Sequence, residues 1–323
     1  MTELFPKSNL CVPVLVGPTA SGKTKLGIAL AESLHGEIVS ADSRQIYRHL
    51  DIGTAKPTEE ERRRVPHHFI NLFEPNRMYS AGEYGRDARS LIEQLLCEGK
   101  RPILVGGSGL YIRAVLDGFF EGPARDPELL ERLKEELHLS GAEAMYARLQ
   151  EVDPAAAAKM DATKEHRVLR ALEVYYTTGI PISEHHERQN TAPSFPAVQF
   201  GVEWDRTDLY RRIERRVDEM IANGLETEVQ SLREKGFAPH LNALNSVGYR
   251  ELFDMLDGKL TKSGAVDLIK RNTRRFAKRQ MTWFRADRRI RWVRADESTD
   301  WTRLAQSLAE SIRACDEHLE TSN

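Results

Sequence analysis

The sequence predicts an α/β protein, a parallel sheet flanked by helices and interrupted by an all-helical insertion domain. In the first third, short apolar runs alternate with helical stretches. Strands separated by helices pair in parallel and place ligand sites at their carboxyl ends. After Asp117 strand propensity vanishes until Ala197, and helical patterns with charged faces replace it.

The elements follow in order. VPVLVG, from Val12, is a buried-strand run, followed by a glycine turn and a helical stretch from Lys23 to Ser33. GEIVSAD, from Gly36, is a second strand. Ala81 to Glu98 has helical spacing, with Ala88, Leu91, Ile92 and Leu95 on one side. RPILVGG, from Arg101, is a further strand, leading into a helix that begins near Gly109. GFFEGPARDP, from Gly118, is a linker by composition. Glu128 to Thr178 reads as wholly helical, ERQNTAPSFPA closes that region, and a strand returns at AVQFGVEW. The expected division is a core of residues 1–121 and 197–323 around a helical insertion, 122–196. Near the end, Asp267 to Arg285 reads as one amphipathic helix. At about 100° per residue Ile269, Phe276 and Trp283 share a stripe that should dock on the core. The tryptophans are read as core or packing residues.

With 40% hydrophobic residues and a net charge of −2, the chain is not of the disordered class. Its longest apolar runs are too short to cross a bilayer, and MTELFPKSNL lacks a secretion pattern. Cys11, Cys97 and Cys315 are isolated, which argues against a disulfide framework or zinc cluster and for a reducing cytosol. The pairs His67–His68 and His185–His186 lack the further ligands a metal site needs. Charge is local instead. Lys270, Arg271, Arg274, Arg275, Lys278, Arg279, Arg285, Arg288, Arg289, Arg291 and Arg294 are opposed within their stretch only by Asp287. A basic block of this kind steers polyanions, although such a face can also be merely solvated.

GPTASGKT, comprising Gly17, Pro18, Thr19, Ala20, Ser21, Gly22, Lys23 and Thr24, fits G-x-x-x-x-G-K-[ST] in full. The glycines let successive N–H groups face phosphate oxygens, Lys23 adds a point charge, and the Thr24 hydroxyl can hold Mg²⁺. The helix that follows contributes the positive end of its dipole. Such a P-loop binds a di- or triphosphate without saying which. Asp42, at the end of the second strand, can help hold magnesium, accept a proton from a nucleophile, or simply cap the next helix. Ser108, in GGSGLY, is either a second wall of the site or part of a plain turn.

Read together, GPTASGKT, ADSRQIYRHLDIGTAKPT, GGSGLYIRAVLDG and AKRQMTWFR resemble, in order and spacing, the tRNA dimethylallyltransferase (tRNA isopentenyltransferase) family. HRVLRALEVY and NSVGYRE stand where that family would put them. The resemblance runs from about Val12 to Trp292. It implies that dimethylallyl diphosphate sits in the cradle with Mg²⁺ on Thr24. The N6 amine of the adenosine just 3′ of the anticodon then attacks the allylic carbon. Asp42 matches the family's general base, Ser108 stands beside the reacting groups, and Arg216 matches an arginine on the diphosphate, unless it is a solvated helical charge. The family's RNA-contacting segments fall on Asp42, Ser43, Arg44 and Gln45, with Ser108; on His166, Arg167, Val168, Leu169 and Arg170; on Asn245, Ser246, Val247, Gly248, Tyr249 and Arg250; and on Lys278, Arg279, Gln280, Met281, Thr282, Trp283, Phe284 and Arg285.

The implied partner is the tRNA anticodon stem-loop, met by a cytoplasmic monomer with no membrane contact, and the target base flips out between core and insertion. Two positions depart from the family pattern. Ser108 stands for the usual threonine and keeps the hydroxyl, while Leu130 stands where some members have an arginine, so no RNA contact is assigned there. The zinc-finger tail of eukaryotic relatives is absent, as in bacterial forms. Three other readings remain: a P-loop kinase or ATPase, an adenylate isopentenyltransferase acting on free AMP, ADP or ATP, and a non-catalytic RNA-binding protein.

Overall fold

The computed structural model describes residues 10–118, 126–188 and 192–321, which fall into two compact units. One contains the chain up to Tyr79, Arg86–Ile112 and the chain from Pro193; the other contains Ser80–Gly85 and Arg113–Ala192. Most of the expected linker after Asp117, part of the stretch closing the helical region, and residues 1–9 lie outside the described residues.

The first unit is built on β1 (Val12–Val16), α1 (Lys23–Leu34), β2 (Gly36–Ala41), α2 (Glu59–Arg64), β3 (His67–His68), α3 (Ala81–Cys97), β4 (Arg101–Gly106) and α4 (Gly109–Asp117). Helices α3 and α4 each contribute residues to both units. The second unit holds α5 (Pro127–Val152), α6 (Pro154–Ala157), α7 (Glu165–Thr178) and α8 (Ile182–Arg188). The chain then returns to the first unit with β5 (Ala197–Glu203), α9 (Arg206–Ala222), α10 (Leu225–Glu234), α11 (Tyr249–Leu256), α12 (Lys262–Arg285), β6 (Ile290–Arg294) and α13 (Trp301–Thr321).

The six strands form one parallel sheet in the order β3-β2-β4-β1-β5-β6. Every residue of β1 and β4 is buried, as expected of inner parallel strands covered on both faces. Leu26 and Leu30 of α1, Leu209 and Ile213 of α9, and Leu308 and Ile312 of α13 close over the sheet in one core. A buried ion pair fastens α13 to two strands. Arg101 at the start of β4 donates to Asp316 at 2.7 and 3.1 Å and to the Cys11 carbonyl at 3.0 Å, and Asp316 accepts the Cys11 N–H at 2.7 Å.

The helical unit has its own core of Leu133, Met145, Leu149, Val168, Leu169 and Leu172. Its chain is less continuous than the sequence suggests. Gly141 leaves the helical region at φ 82° and ψ 166° inside α5. Buried Asp153 ends α5 and caps α6, accepting from Ala156 N at 2.9 Å and from Ser183 N at 2.9 Å. Turns then separate α6 from α7.

The long basic helix starts at Lys262 instead of Asp267, because the Thr261 hydroxyl caps it by accepting from Gly264 N at 3.1 Å. The docking stripe also differs from expectation. Ala265, Ile269, Ala277, Gln280 and Phe284 are buried, whereas Phe276 and Trp283 remain 39% and 40% exposed. The buried line passes through Ala277 and Phe284, the residues that directly follow Phe276 and Trp283.

Candidate active site

Strand register places the site. Across the sheet, Ala41 pairs with Gly106 and Gly106 with Val16. The residues that follow these three, Asp42, Gly107 with Ser108, and Gly17, therefore emerge on one rim. This is the carboxyl end of a parallel sheet, where ligands bind in such folds. A cleft of about 800 Å³ opens there. Thr19, Ala20, Lys23, Thr24, Asp42, Ser108 and Arg216 line it, together with residues of α11 and α12 and the chain before them.

The glycine-rich loop turns between β1 and α1. Gly22 caps α1 at φ 90° and lies so close to Trp301 that an added Cβ would stand 2.4 Å from the indole. Only a residue free of a side chain takes both the left-handed conformation and that contact. Thr19, Ala20, Lys23 and Thr24 face the cleft, while Gly17, Pro18, Ser21 and Gly22 form the back of the turn. The Lys23 ammonium donates to the Pro18 carbonyl at 2.6 Å. Burial and then the neighbouring Arg216 guanidinium pull its pKa down to about 7, partly offset by Asp42. Arg216, on α9, is likewise lowered by burial and supported by Asp42. Two desolvated cations converge on one cleft beside a single carboxylate, an arrangement that an anionic ligand would stabilise.

Asp42 caps a turn, not a helix: its Oδ1 accepts from Arg44 N at 2.8 Å and from Gln45 N at 3.3 Å. The Gln45 amide is spent on the chain, donating to the Thr54 and Ala55 carbonyls at 3.1 and 3.3 Å. Ser108 N donates to the Ala41 carbonyl at 3.1 Å, joining the two rim segments. Gly107 permits the approach of α12, since a Cβ there would stand 2.4 Å from Gln280 Nε2.

Several residues expected to face RNA also carry structural contacts, Gln280 and Phe284 among them while lining the cleft. Gln280 is 7% exposed; it accepts from Thr19 N at 2.8 Å and donates to the Gly107 carbonyl at 2.9 Å. Phe284 is buried with it. Tyr249 is fully buried, its hydroxyl donating to Glu228 at 2.7 Å, whereas Asn245, Ser246, Val247, Gly248 and Arg250 line the cleft. In the helical unit Val168 and Leu169 belong to that unit's core, Arg170 pairs with Glu173 at 2.8 Å, and His166 and Arg167 are exposed.

The basic face of α12 is divided. Lys270 pairs with Asp218 at 2.6 Å and Arg274 with Glu214, acids of α9 that lie far away in sequence. Arg275 and Arg279 line the cleft instead, beside exposed Phe276 and Trp283. Trp283 is therefore a packing residue and not a core one, its indole lying against Gly109.

Another wall of the cleft carries a clamp that no sequence motif announces. Glu228 on α10 accepts from Asp51 N, Ile52 N and Gly53 N at 2.9, 2.8 and 3.2 Å. Lys56, almost wholly buried, donates to the Tyr47 carbonyl at 2.8 Å and to Asp51 at 2.6 Å. Together they hold Gly53, Thr54 and Ala55 against the cleft. DIGTAKPT signals the loop, but nothing local in α10 singles out Glu228.

The lowered Lys23 pKa has a definite sign. Below about 7 the ammonium is charged and meets an anion directly; above it the amine is neutral, and binding must draw in a proton. Diphosphate binding near pH 8 is expected to take up a proton beyond that of the ligand itself, with affinity weakening as pH rises through 7. Calorimetry in buffers of different ionisation enthalpy measures this, and Lys23→Met should lack the uptake. Equal uptake by both proteins would remove Lys23 as its source.

The chain is similar to known proteins over most of its length. The family model described as IPP transferase matches residues 45–287. The tRNA dimethylallyltransferase of Pelotomaculum thermopropionicum is 48% identical over 273 residues, 84% of this chain and 87% of that protein. The tRNA dimethylallyltransferase 1 of Pelobacter propionicus is 49% identical over 275 residues, covering 85% and 89%. The crystal structure of the full-length tRNA isopentenylpyrophosphate transferase from Bacillus halodurans superimposes with a TM-score of 0.72 at 37% identity, covering 96% of this chain and 98% of that one. A eukaryotic dimethylallyltransferase caught acting on tRNA gives 0.80 at 27% identity, covering 94% and 79%. With a cradle, a carboxylate and a basic aromatic wall on one cleft, and with these relatives, the chain belongs to the IPP transferase family, among the tRNA dimethylallyltransferases.

Proposed function

We propose that the protein transfers the dimethylallyl group of dimethylallyl diphosphate to N6 of the adenosine just 3′ of the anticodon in tRNA, releasing diphosphate. The observation behind this reading is that one cleft is lined by the phosphate cradle, a carboxylate and a wall of arginines and exposed aromatic rings. A phosphate-binding enzyme needs the first, alkylation of an amine the second, and an unpaired RNA base the third.

In this mechanism Thr19 to Thr24 hold the diphosphate, with Lys23 and Arg216 offsetting the charge that grows on it as the allylic C–O bond breaks. The N6 nitrogen forms the new C–N bond and its proton passes to Asp42. The Asp42 carboxylate is oriented for this by the two N–H groups it accepts. Ser108 steadies the base or the diphosphate from the adjoining rim. The cleft offers Thr24 and Asp42 oxygens, and among the described residues no cluster of three His, Cys, Asp or Glu could cage a metal. That sparse oxygen set suits Mg²⁺, which binds through one or two side chains plus phosphate oxygens. Thr24 would hold the ion, whose chemistry there is neutralisation of diphosphate charge.

The target base must leave its stack to reach the cleft, and Phe276 and Trp283 offer it aromatic faces. Arg275, Lys278 and Arg279, with Arg285 further along α12, meet the phosphate backbone; within the helical unit the exposed His166 and Arg167 are that unit's own candidate RNA contacts. A tRNA substrate supports a cytoplasmic setting for the reaction.

The test is incubation with Mg²⁺, labelled dimethylallyl diphosphate and tRNA. Label should enter the RNA and be lost when the target adenosine is replaced. Label in AMP instead, or phosphate release from ATP with no transfer, would overturn the reading. The divided basic face adds a second expectation. Arg275→Gln with Arg279→Gln should weaken RNA binding and flatten its salt dependence by about 0.7 per lost phosphate contact. Lys270→Gln with Arg274→Gln should flatten it less, and the reverse order would move the RNA face to the α9 side of the helix.

A further inference from the structure

The phosphate-binding loop is held from behind by side chains that do not line the cleft. Trp204, 8% exposed at the end of β5, donates its indole N–H to the Ser21 carbonyl at 2.9 Å. Arg212, on α9, donates Nε–H to the Ala20 carbonyl at 3.0 Å. Its guanidinium lies over the Trp204 ring, 4.1 Å from the centroid, and reaches Glu297 at 3.4 Å. Ala20 sits at φ 63°, a left-handed conformation unusual for an alanine. Neither Trp204 nor Arg212 borders the cleft.

A peptide unit is planar, with C=O and the following N–H pointing opposite ways. Tying the Ala20 and Ser21 carbonyls outward therefore fixes where the next two N–H groups point. The Ser21 N–H is taken by the Pro18 carbonyl at 3.3 Å, and the Gly22 N–H points opposite to the Ser21 carbonyl, away from Trp204. We infer that Trp204 and Arg212 are positioning residues for the diphosphate: Trp204 acts through the Ser21 carbonyl to aim the Gly22 N–H, and Arg212 acts through the Ala20 carbonyl to keep the Ser21 N–H in its turn with Pro18, so that the loop holds its anion-binding shape. The inference rests on the proposed binding of dimethylallyl diphosphate in the loop. Arg212 also stands one helical turn from Arg216 on α9, so the helix that supplies a cleft cation braces the loop beside it.

The test compares wild type, Trp204→Phe, Arg212→Met and Lys23→Ala. Calorimetry with Mg²⁺ measures affinity for dimethylallyl diphosphate and, separately, for an anticodon stem-loop; thermal unfolding is followed in parallel. Trp204→Phe keeps the ring and loses one donor, so a three- to tenfold weaker Kd for the diphosphate is expected, about the worth of one hydrogen bond. RNA affinity should be unchanged, and the KM for dimethylallyl diphosphate should rise while that for tRNA does not. Arg212→Met should act in the same direction. A lower melting temperature with unchanged diphosphate affinity would reduce both residues to packing and overturn the inference. If Arg212→Met fails to fold, Trp204→Phe decides alone. A wild-type protein that does not bind dimethylallyl diphosphate, or binds it no better than Lys23→Ala, would instead contradict the substrate assignment.

Discussion

The site depends on the parallel register of three inner strands. Val16, Gly106 and Ala41 end side by side, so the cradle, the Ser108 segment and Asp42 leave the sheet within reach of a common ligand. A one-residue slip of β2 against β4 would turn its side chains to the opposite face and withdraw the carboxylate from the rim. Burial of β1 and β4 on both faces, together with the Arg101–Asp316 pair at their other end, holds that register. Breaking such a pair costs about 3–5 kcal/mol because it leaves a buried charge without its partner. Geometry at one end of the sheet is thus secured by electrostatics at the other.

Around this frame the cleft is assembled by tethers from distant segments. Gln280 joins α12 to the phosphate loop and to the turn after β4, Glu228 fastens the wall at Asp51 to Gly53, and Trp204 and Arg212 hold the loop from behind. None of these side chains has a role in bond making. They fix backbone amides and carbonyls, which cannot be aimed by local sequence alone.

What the sequence reveals follows from range. The P-loop, the inner strands and Asp42 at a strand end are local patterns and are visible directly. The edge strands β3 and β6 are too short to stand out: β3 is two histidines, and the brief alternation of Ile290, Arg291 and Trp292 in β6 sits within an arginine-rich run. Gln280 looks like one more residue of a basic RNA-facing segment until its partners, Thr19 and Gly107, are brought to it by the fold. Likewise Lys270 and Arg274 read as free positive charge because Asp218 and Glu214 belong to another helix. Phe276 and Trp283 fit a seven-residue apolar stripe, yet Ala277 and Phe284, the next residue in each case, take the buried positions.

The Asp42 carboxylate is proposed to serve the chemical step and not the binding of either substrate. Asp42→Asn isolates it, because the amide retains an Oδ1 that can accept from Arg44 N and Gln45 N and so preserve the turn. Single-turnover transfer of label to tRNA should fall at least about 100-fold, with affinities for dimethylallyl diphosphate and for the anticodon stem-loop unchanged. Transfer at a near-normal rate, or a loss explained wholly by weaker binding, would contradict the role of Asp42 as the base.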